Sequence, residues 1–203
     1  MRKKGLLFVI SGPSGVGKGT ICKGLLRKDS LSLCLSISVT TRLPRSNEEH
    51  GKNYFFIDDK EFKSMIDKGE LLEWAEVYGN YYGTPKKWVE KKLESGCDVL
   101  LEIDVQGALQ VKSKIPESIL IFILPPTIND LKERLKSRNT DSDEVISNRL
   151  KHVKDEIEKA VQYDYIVIND FIDKALERVA SIMIAEKCCA ERFSIEDYLK
   201  GSG

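Results

Sequence analysis

The sequence contains few of the residues that build disulfide frameworks or histidine metal sites. Its 203 residues include five cysteines and two histidines. The cysteines are odd in number and lack Cys-x-x-Cys spacing, so they indicate neither a disulfide framework nor a zinc site. The histidines are too few and too far apart for a histidine metal site. We expect all seven to be packing or surface residues: Cys22, Cys34, His50, Cys97, His152, Cys188 and Cys189.

The chain also lacks a long hydrophobic run and an excess of charge of either sign. No stretch approaches the roughly 20 apolar residues of a transmembrane helix. The basic start resembles that of a signal peptide, but its apolar run, Leu6–Ile10, ends in a glycine-rich loop. The 32 basic residues balance 32 acidic ones, so no overall electrostatic field favours binding to nucleic acid or to membranes. We expect a cytoplasmic protein with no nucleic-acid, membrane or obligate protein partner.

Apolar runs alternate with helical patterns along most of the chain. Four runs are nearly continuous Val, Ile and Leu, which is typical of parallel strands covered on both faces. The alternation predicts a three-layer α/β fold around a central parallel five-stranded sheet. The predicted strands are Leu6–Ile10, Leu33–Val39, Asp98–Ile103, Ile119–Leu124 and Tyr165–Ile168. The predicted helices are Lys18–Lys28, Val105–Lys114, Ile128–Ser137, Asp143–Val161 and Ile172–Arg192.

Two segments interrupt this alternation. Residues 38–92 are richer in Tyr, Gly, Asn and charge, and include a strand-like piece at Tyr54–Ile57 and helical pieces at Asp59–Lys68 and Pro85–Glu94. The segment is too long for a loop and predicts an inserted mixed α+β lobe. A short, polar, arginine-flanked segment at 137–148 predicts a mobile segment over the site. Residues 1–37, 93–136 and 149–203 would form the core of a single domain.

A glycine-rich stretch between the first strand and the first helix predicts a phosphate-binding loop. Three glycines allow the backbone amides to converge on one anion, and Lys18 adds a positive charge at the helix N-terminus. The general pattern places Ser or Thr after the lysine, but Gly19 stands there and Thr20 follows, so the metal-ligand hydroxyl is displaced or replaced by water. The loop comprises Gly12, Pro13, Ser14, Gly15, Val16, Gly17, Lys18, Gly19 and Thr20.

Polar residues suited to ligand binding lie at the ends of two predicted strands and in the predicted lobe. Arg42 and Arg45, separated by Pro44, suit a phosphate clamp, although exposed arginines on a loop are often merely solvated. Tyrosines in the lobe suit a small-molecule pocket or the core of the lobe itself. Glu102 and Asp104 end a buried strand, a position from which acids commonly organise hydrated magnesium.

The order of the motifs resembles guanylate kinases. The matching strings are G-P-S-G-x-G-K-G-T, S-x-T-T-R-x-P-R-x-x-E-x-x-G-x-x-Y, E-W, G-N-Y-Y-G-T, L-E-I-D-V-Q-G and I-V-I-N-D. They run in order from Leu6 to about Lys187, and the long middle string is the most discriminating. The resemblance implies a P-loop fold and a role for each matching residue.

The implied roles divide between two nucleotides and a metal. Residues 12–20 would bind the phosphates of ATP and Asn169 its adenine; the GMP phosphate would contact Arg42, Arg45, Tyr54 and Tyr82. Ser38, Glu73, Thr84 and Asp104 would surround guanine, and Gly107 would permit close packing. Mg²⁺ would bind largely through water near Thr20, Glu102 and Asp104. The resemblance also implies a lid, residues 137–148, that would close Arg134, Arg138 and Arg149 onto the phosphates; the alternative is that these arginines pair with nearby acids on the helix surface.

The resemblance implies transfer of the γ-phosphoryl group of ATP to GMP, with dGMP as a second acceptor, in purine nucleotide metabolism. A carboxylate at Glu73 supports guanine independently, because it can accept from the paired N1–H and N2–H donors that adenine lacks. Two alternatives remain at this point. One is a kinase for another monophosphate, such as AMP or UMP; the other is a protein-binding module of the same fold without phosphoryl transfer.

Overall fold

A five-stranded parallel sheet lies at the centre of the protein. The computed structural model describes residues 4–77, 79–136, 153–193 and 195–201. All neighbouring strands in this sheet pair in parallel, in the order β2-β7-β1-β8-β9. Its members are β1 (Leu7–Ser11), β2 (Leu33–Leu35), β7 (Asp98–Glu102), β8 (Ile119–Leu124) and β9 (Tyr165–Ile168).

Helices cover both faces of this sheet. One apolar core joins residues of β1 and β8, such as Phe8 and Ile121, to α1 and α7. The core on the opposite face joins alternate residues of the same strands, such as Val9 and Leu120, to α3 and α4. The three-layer α/β prediction is therefore confirmed. The helices that follow the strands are α1 (Lys18–Leu26), α3 (Lys86–Glu94), α4 (Val105–Lys114), α5 (Ile128–Lys136), α6 (described over 153–158), α7 (Ile172–Lys187) and α8 (Ile195–Leu199).

A second, four-stranded sheet occupies the segment between β2 and β7. Its order is β4-β3-β6-β5, with parallel pairing of β3 and β4 and antiparallel pairing elsewhere. A small core of Val39, Phe62 and Leu71 packs this sheet against α2. The elements are β3 (Val39–Thr40), β4 (Phe55–Phe56), α2 (Asp59–Asp67), β5 (Leu71–Val77) and β6 (Asn80–Pro85).

The prediction of one strand over 33–39 is wrong. Leu33–Leu35 pairs with β7 in the first sheet, whereas Val39 pairs with Gly83 in the second. The amide of Ser36 still donates to the carbonyl of Leu100, and the chain then leaves the central sheet. Both pieces are apolar and follow each other closely in sequence, so the pattern does not show where the chain passes from one sheet to the other.

The cysteine expectation is also wrong at two positions. Cys34 and Cys97 form a disulfide, although they are 63 residues apart in sequence. The parallel register explains their meeting, because Leu33 on β2 pairs with Asp98 on β7 and so places Cys34 close to Cys97, the residue directly before β7. Cysteine spacing in the sequence can indicate disulfides between nearby residues, but it cannot indicate one between residues so far apart. Cys22 is buried, whereas Cys188 and Cys189 are exposed and partly exposed thiols.

Two predicted helices end earlier in the structure than the sequence patterns indicated. The helix predicted to reach Arg192 ends at Lys187, and a short 3₁₀ turn covers Ala190–Arg192. Of the helix predicted over 143–161, residues 153–158 are helical and a 3₁₀ turn follows at Lys159–Gln162. The predicted lid, 137–148, with Arg138, and Arg149 beyond it, lie outside the described residues. Among the residues that are described, no helix has the length and apolar character needed to span a membrane.

Candidate active site

A polar cleft of about 540 Å³ opens at the carboxyl ends of β1 and β7 and faces the second sheet. Ligands of open α/β sheets bind at these strand ends. Most of the predicted site residues contribute to its wall. The lining residues are Gly12, Ser14, Gly15, Gly17, Lys18, Gly19, Ser38, Arg42, Arg45, Tyr54, Glu73, Val77, Asn80, Tyr82, Glu102, Ile103, Asp104 and Glu156.

The glycine-rich loop leads from β1 into α1 as predicted. Gly17 has φ +96°, a left-handed conformation that favours glycine, and a Cβ there would lie 2.6 Å from Nδ2 of Asn169. That side-chain nitrogen donates to the carbonyl of Val16 at 2.7 Å. The buried Asn169 therefore braces the loop from the end of β9. Its own carbonyl accepts from Nη2 of Arg134 at 3.0 Å, which ties α5 to the same point.

Lys18 begins α1 and folds back over the loop. Its Nζ donates to the carbonyls of Gly12 and Pro13 at 2.6 and 3.0 Å. Desolvation by burial lowers the pKa of Lys18 below its ordinary value, and the carboxylates of Glu102, Glu156 and Asp104 oppose that shift. The ammonium group thus lies at the phosphate loop, within electrostatic reach of three acids that line the cleft.

Glu102 occupies the space beside Gly19. A Cβ at position 19 would lie 3.3 Å from Oε1 of Glu102, so the glycine leaves room for this carboxylate. Desolvation by surrounding protein atoms raises the pKa of Glu102, and Lys18 and Lys23 counteract it, although the carboxylate faces the open cleft. Thr20, the predicted hydroxyl ligand, is exposed in the first turn of α1. Within the described residues, no group of three or more Asp, Glu, His or Cys side chains forms a metal cluster.

Arg42 is held in place by Glu48. Its Nη2 donates to both carboxylate oxygens of Glu48 at 2.9 Å, and its Nη1 donates to the carbonyl of Leu43 at 2.8 Å. The amide of Arg45 donates to Oε2 of Glu48 at 2.9 Å, so one carboxylate organises both arginines of the predicted clamp. The Arg42 guanidinium also lies 5.6 Å from the centre of the Tyr54 ring.

The two predicted phosphate-binding tyrosines lie together. The rings of Tyr54 and Tyr82 meet edge to face at 6.0 Å between centroids, and both line the cleft beside Arg42. Burial raises the pKa of Tyr54 to about 12, so its hydroxyl keeps its proton and can donate at neutral pH. Ser38 lines the cleft just before β3.

Glu73 is a buried carboxylate at the floor of the cleft. It lies on β5 opposite Thr84 of β6, is 2 % exposed, and accepts a 2.6 Å hydrogen bond from the Thr84 hydroxyl at Oε1. Burial raises the pKa of Glu73 to about 7, and nearby Asp104 adds to the effect while Thr84 opposes it. A carboxylate in this position can accept two hydrogen bonds from adjacent N–H groups of a planar ligand.

Asp104 and Gly107 place the start of α4 beside Glu73. Oδ1 of Asp104 caps the helix by accepting from the amides of Gln106 and Gly107 at 2.7 and 3.0 Å, while its side chain lines the cleft. A Cβ at Gly107 would collide with Oε2 of Glu73, so only glycine permits this close approach. The structure thus brings the predicted guanine residues Ser38, Glu73, Thr84 and Asp104 to one region.

Sequence reasoning missed the contribution of Glu156. It lies on α6 at the rim of the cleft and acts electrostatically on Lys18, but in sequence it is an ordinary glutamate on a helical face. Glu48 was visible within the middle string, yet only the structure shows its bonds to Arg42 and Arg45. The roles predicted for Arg138 and Arg149 lie outside the described residues.

Comparison with known proteins agrees with this geometry. A family model described as guanylate kinase matches residues 4–186. The chain belongs to the guanylate kinase family. It is 56% identical over 192 residues to a guanylate kinase of Caldanaerobacter subterraneus subsp. tengcongensis, covering 95% of this chain and 93% of the relative. It is 49% identical to a guanylate kinase of Halalkalibacterium halodurans, with coverage of 97% and 96%.

A solved guanylate kinase structure shows the same fold. The crystal structure of guanylate kinase from Anaplasma phagocytophilum superimposes with a TM-score of 0.82 at 33% identity. The match covers 98% of this chain and 95% of that one. Guanylate kinases therefore resemble this chain over both the central sheet and the four-stranded sheet, which is the part that carries Glu73 and Arg42.

Proposed function

We propose that this cleft transfers the γ-phosphoryl group of ATP to GMP, the activity of the guanylate kinase family, with the residue roles given below. The observation that supports it most is the buried Glu73–Thr84 pair in the same cleft as the phosphate loop. A nucleotide-phosphate site and a carboxylate suited to the N1–H and N2–H edge of guanine thus face each other. An AMP or UMP acceptor offers no such pair of donors to Glu73.

The phosphate loop and Lys18 bind the donor. Backbone N–H groups of the loop, which Pro13 lacks, and the N-terminus of α1 carry partial positive charge toward the triphosphate. Lys18 moves from its contacts with the Gly12 and Pro13 carbonyls to the phosphate being transferred. Asn169 holds the loop through Val16 and contributes to the adenine side of the site.

The four-stranded sheet binds the acceptor. Four side chains contact the phosphate of GMP, because guanidinium groups match phosphate oxygens bidentately and tyrosine hydroxyls can donate to them: Arg42, Arg45, Tyr54 and Tyr82. Ser38, Glu73, Thr84 and Asp104 surround the base, and Gly107 allows Glu73 to approach α4. We propose that residues 38–92 act as a GMP-binding lobe against a core formed by the rest of the chain.

The acids at the end of β7 fit a hydrated magnesium ion. Carboxylate oxygens are the ligands Mg²⁺ prefers, and Glu102 faces the cleft beside the phosphate loop while Asp104 uses Oδ1 for its helix cap. Bound Mg²⁺ would neutralise negative charge on the phosphates. Glu102, Asp104 and the Thr20 hydroxyl would hold its water shell rather than the ion itself.

No general base is required for the transfer. The attacking phosphate oxygen of GMP is already anionic at neutral pH, so this chain contributes alignment and charge neutralisation. Lys18 and Arg42 supply positive charge at the transferring group, and Arg134 lies beside the loop through its bond to Asn169. We propose that Arg138 and Arg149, with the lid at 137–148, close over the phosphates and exclude water.

A direct assay of acceptors tests this function. Coupled ADP production with GMP, dGMP, AMP and UMP should give fast turnover with GMP, detectable turnover with dGMP and little with the others. Preference for AMP or UMP would assign a different monophosphate kinase. Turnover of none of the four, with GMP still binding, would indicate a protein-binding module. We further propose that the enzyme acts in the cytoplasm and needs no protein partner.

A further inference from the structure

One face of α4 binds the outer edge of β5 through the side chains of Gln110 and Lys114. Gly107, Gln110 and Lys114 lie at i, i+3 and i+7, so they share one face of the helix. β5 is the edge strand of the four-stranded sheet, with β6 on one side only. The α4 face therefore meets the side of β5 whose peptide groups have no strand partner.

Gln110 binds β5 much as a neighbouring strand would. Its Oε1 accepts from the amide of Trp74 at 3.2 Å, and its Nε2 donates to the carbonyl of Trp74 at 2.7 Å. One turn further along, Nζ of Lys114 donates to the carbonyl of Leu72 at 2.6 Å. These bonds fall on the residues directly before and after Glu73.

Glu73 itself is held from the other side. It pairs with Thr84 across β5 and β6, and its Oε2 lies against Gly107 of α4. Asp104 caps the same helix. The backbone on both sides of Glu73 is therefore tied to the helix that carries Asp104, although the two acids come from different sheets.

We propose that Gln110 is a positioning residue that fixes the β5 backbone around Glu73 and thereby sets how selectively the cleft accepts guanine. This inference rests on the proposed function, in which Glu73 binds guanine. A carboxylate accepts two parallel donors only when its plane matches theirs. Loss of the Gln110 bonds lets β5 move away from α4, and the contact of Glu73 with the 2-amino group of guanine is then lost.

The test compares GMP with IMP, which lacks the 2-amino donor. Gln110→Met keeps the length of the side chain but removes both hydrogen bonds. We expect KM for GMP to rise about tenfold, as for the loss of one or two hydrogen bonds, and kcat to change less than about twofold. The GMP-over-IMP ratio of kcat/KM should fall by a similar factor, while KM for ATP stays unchanged.

Controls separate positioning from general structural damage. Gln162→Met makes the same change at an exposed position and should leave all constants unchanged. Gln110→Asn keeps the amide but shortens its reach, and should lower the GMP-over-IMP ratio even if Gln110→Met folds poorly. Urea unfolding of each variant shows whether the fold is intact.

A double-mutant cycle links the effect to Glu73. In a Glu73→Gln background, adding Gln110→Met should change the GMP-over-IMP ratio less than about twofold, because the contact it positions is already absent. Equal effects in both backgrounds, or an unchanged ratio in both Gln110 variants, would overturn the positioning role alone. If Glu73→Gln itself leaves the ratio unchanged, the guanine role of Glu73 is wrong and the role of Gln110 falls with it.

Discussion

The Thr84 hydroxyl donates a 2.6 Å hydrogen bond to Oε1 of Glu73, and both side chains are buried. Thr84 is fully buried and Glu73 is 2 % exposed, so this bond satisfies a carboxylate that water reaches only from the cleft. The hydroxyl also orients the carboxylate plane.

Glu73→Gln should remove most of the preference for guanine. The amide offers its own N–H₂ donors to the guanine N–H groups, so at least one of the two contacts becomes repulsive. We expect kcat/KM for GMP to fall about 100-fold or more, as for other buried polar mismatches. Steady-state kinetics with Glu76→Gln, an exposed change on the same strand, supplies the control. A loss smaller than about threefold contradicts the assigned role.

The activity toward GMP should depend on the ionisation of Glu73. Burial raises the pKa of Glu73 to about 7 in the protein without nucleotide, and kcat/KM reports that state. Since the ionised form accepts the guanine donors, kcat/KM for GMP should rise as pH increases through about 7. The Thr84 bond lowers this pKa, so Thr84→Val should shift the rise to higher pH. A pH profile that is flat between 6 and 8 in both proteins would show that Glu73 does not bind the base as an anion.

Lys18→Met should abolish efficient phosphoryl transfer while the fold survives. The ammonium group of Lys18 lies at the phosphate loop, and its charge counts most when the phosphoryl group is in transit. We expect kcat to fall about 1,000-fold, with GMP affinity little changed. Circular dichroism and GMP titration check fold and acceptor binding. Lys60→Met, an exposed lysine in the first turn of α2, should retain normal turnover.

Glu48 should matter through Arg42. Glu48→Gln weakens two interactions of the Glu48 carboxylate. One is with the guanidinium of Arg42 and the other is with the backbone amide of Arg45. We expect KM for GMP to rise about fivefold to tenfold, and Arg42→Met to lower kcat/KM by about 100-fold, because a charge-assisted phosphate contact is lost. Glu49→Gln, whose carboxylate pairs with Lys52 on the surface, is the matched control. Combining Glu48→Gln with Arg42→Met should add little to Arg42→Met alone; full additivity would argue against the pairing.

The Cys34–Cys97 disulfide should stabilise the oxidised protein. It closes a loop of 63 residues, for which chain-entropy arguments give about 4 kcal/mol of unfolding free energy. Cys34→Ala/Cys97→Ala should therefore lower urea stability in oxidising buffer, and dithiothreitol should remove most of the difference. Cys188→Ala should have little effect in either buffer. Alkylation of the unfolded, unreduced protein should label Cys22, Cys188 and Cys189 only.

Sequence patterns predicted the central sheet because its strands are continuous apolar runs. β1 and β8 are buried along nearly all of their length, so each appears in the sequence as a continuous apolar run. Such a run can be recognised without knowing which strands or helices pack against it. The phosphate loop was predictable for a similar reason, since its requirements are local. The strand over 33–39 was not, because nothing in an apolar run marks where the chain leaves one sheet and joins another.

Residues that act across the fold left weaker traces in the sequence. Gln110 lies 36 residues from Trp74, and Cys34 lies 63 residues from Cys97. Each pair depends on how helices and strands are placed, and neither shows a spacing that predicts contact. The charge of Glu156 acts on Lys18 from a helix that sequence patterns do not connect with the phosphate loop. Glu73 and Thr84, in contrast, were predicted from a family resemblance that spans both strands of their hairpin, and the structure brings them into direct contact.

Gly19 and Glu102 form a size-matched pair at the start of α1. A serine or threonine at position 19, as in the general phosphate-loop pattern, would place its Cβ 3.3 Å from Oε1 of Glu102, so the exposed carboxylate would have to shift slightly. A hydroxyl placed directly after the lysine would thus share with the Glu102 carboxylate the space beside the phosphate loop.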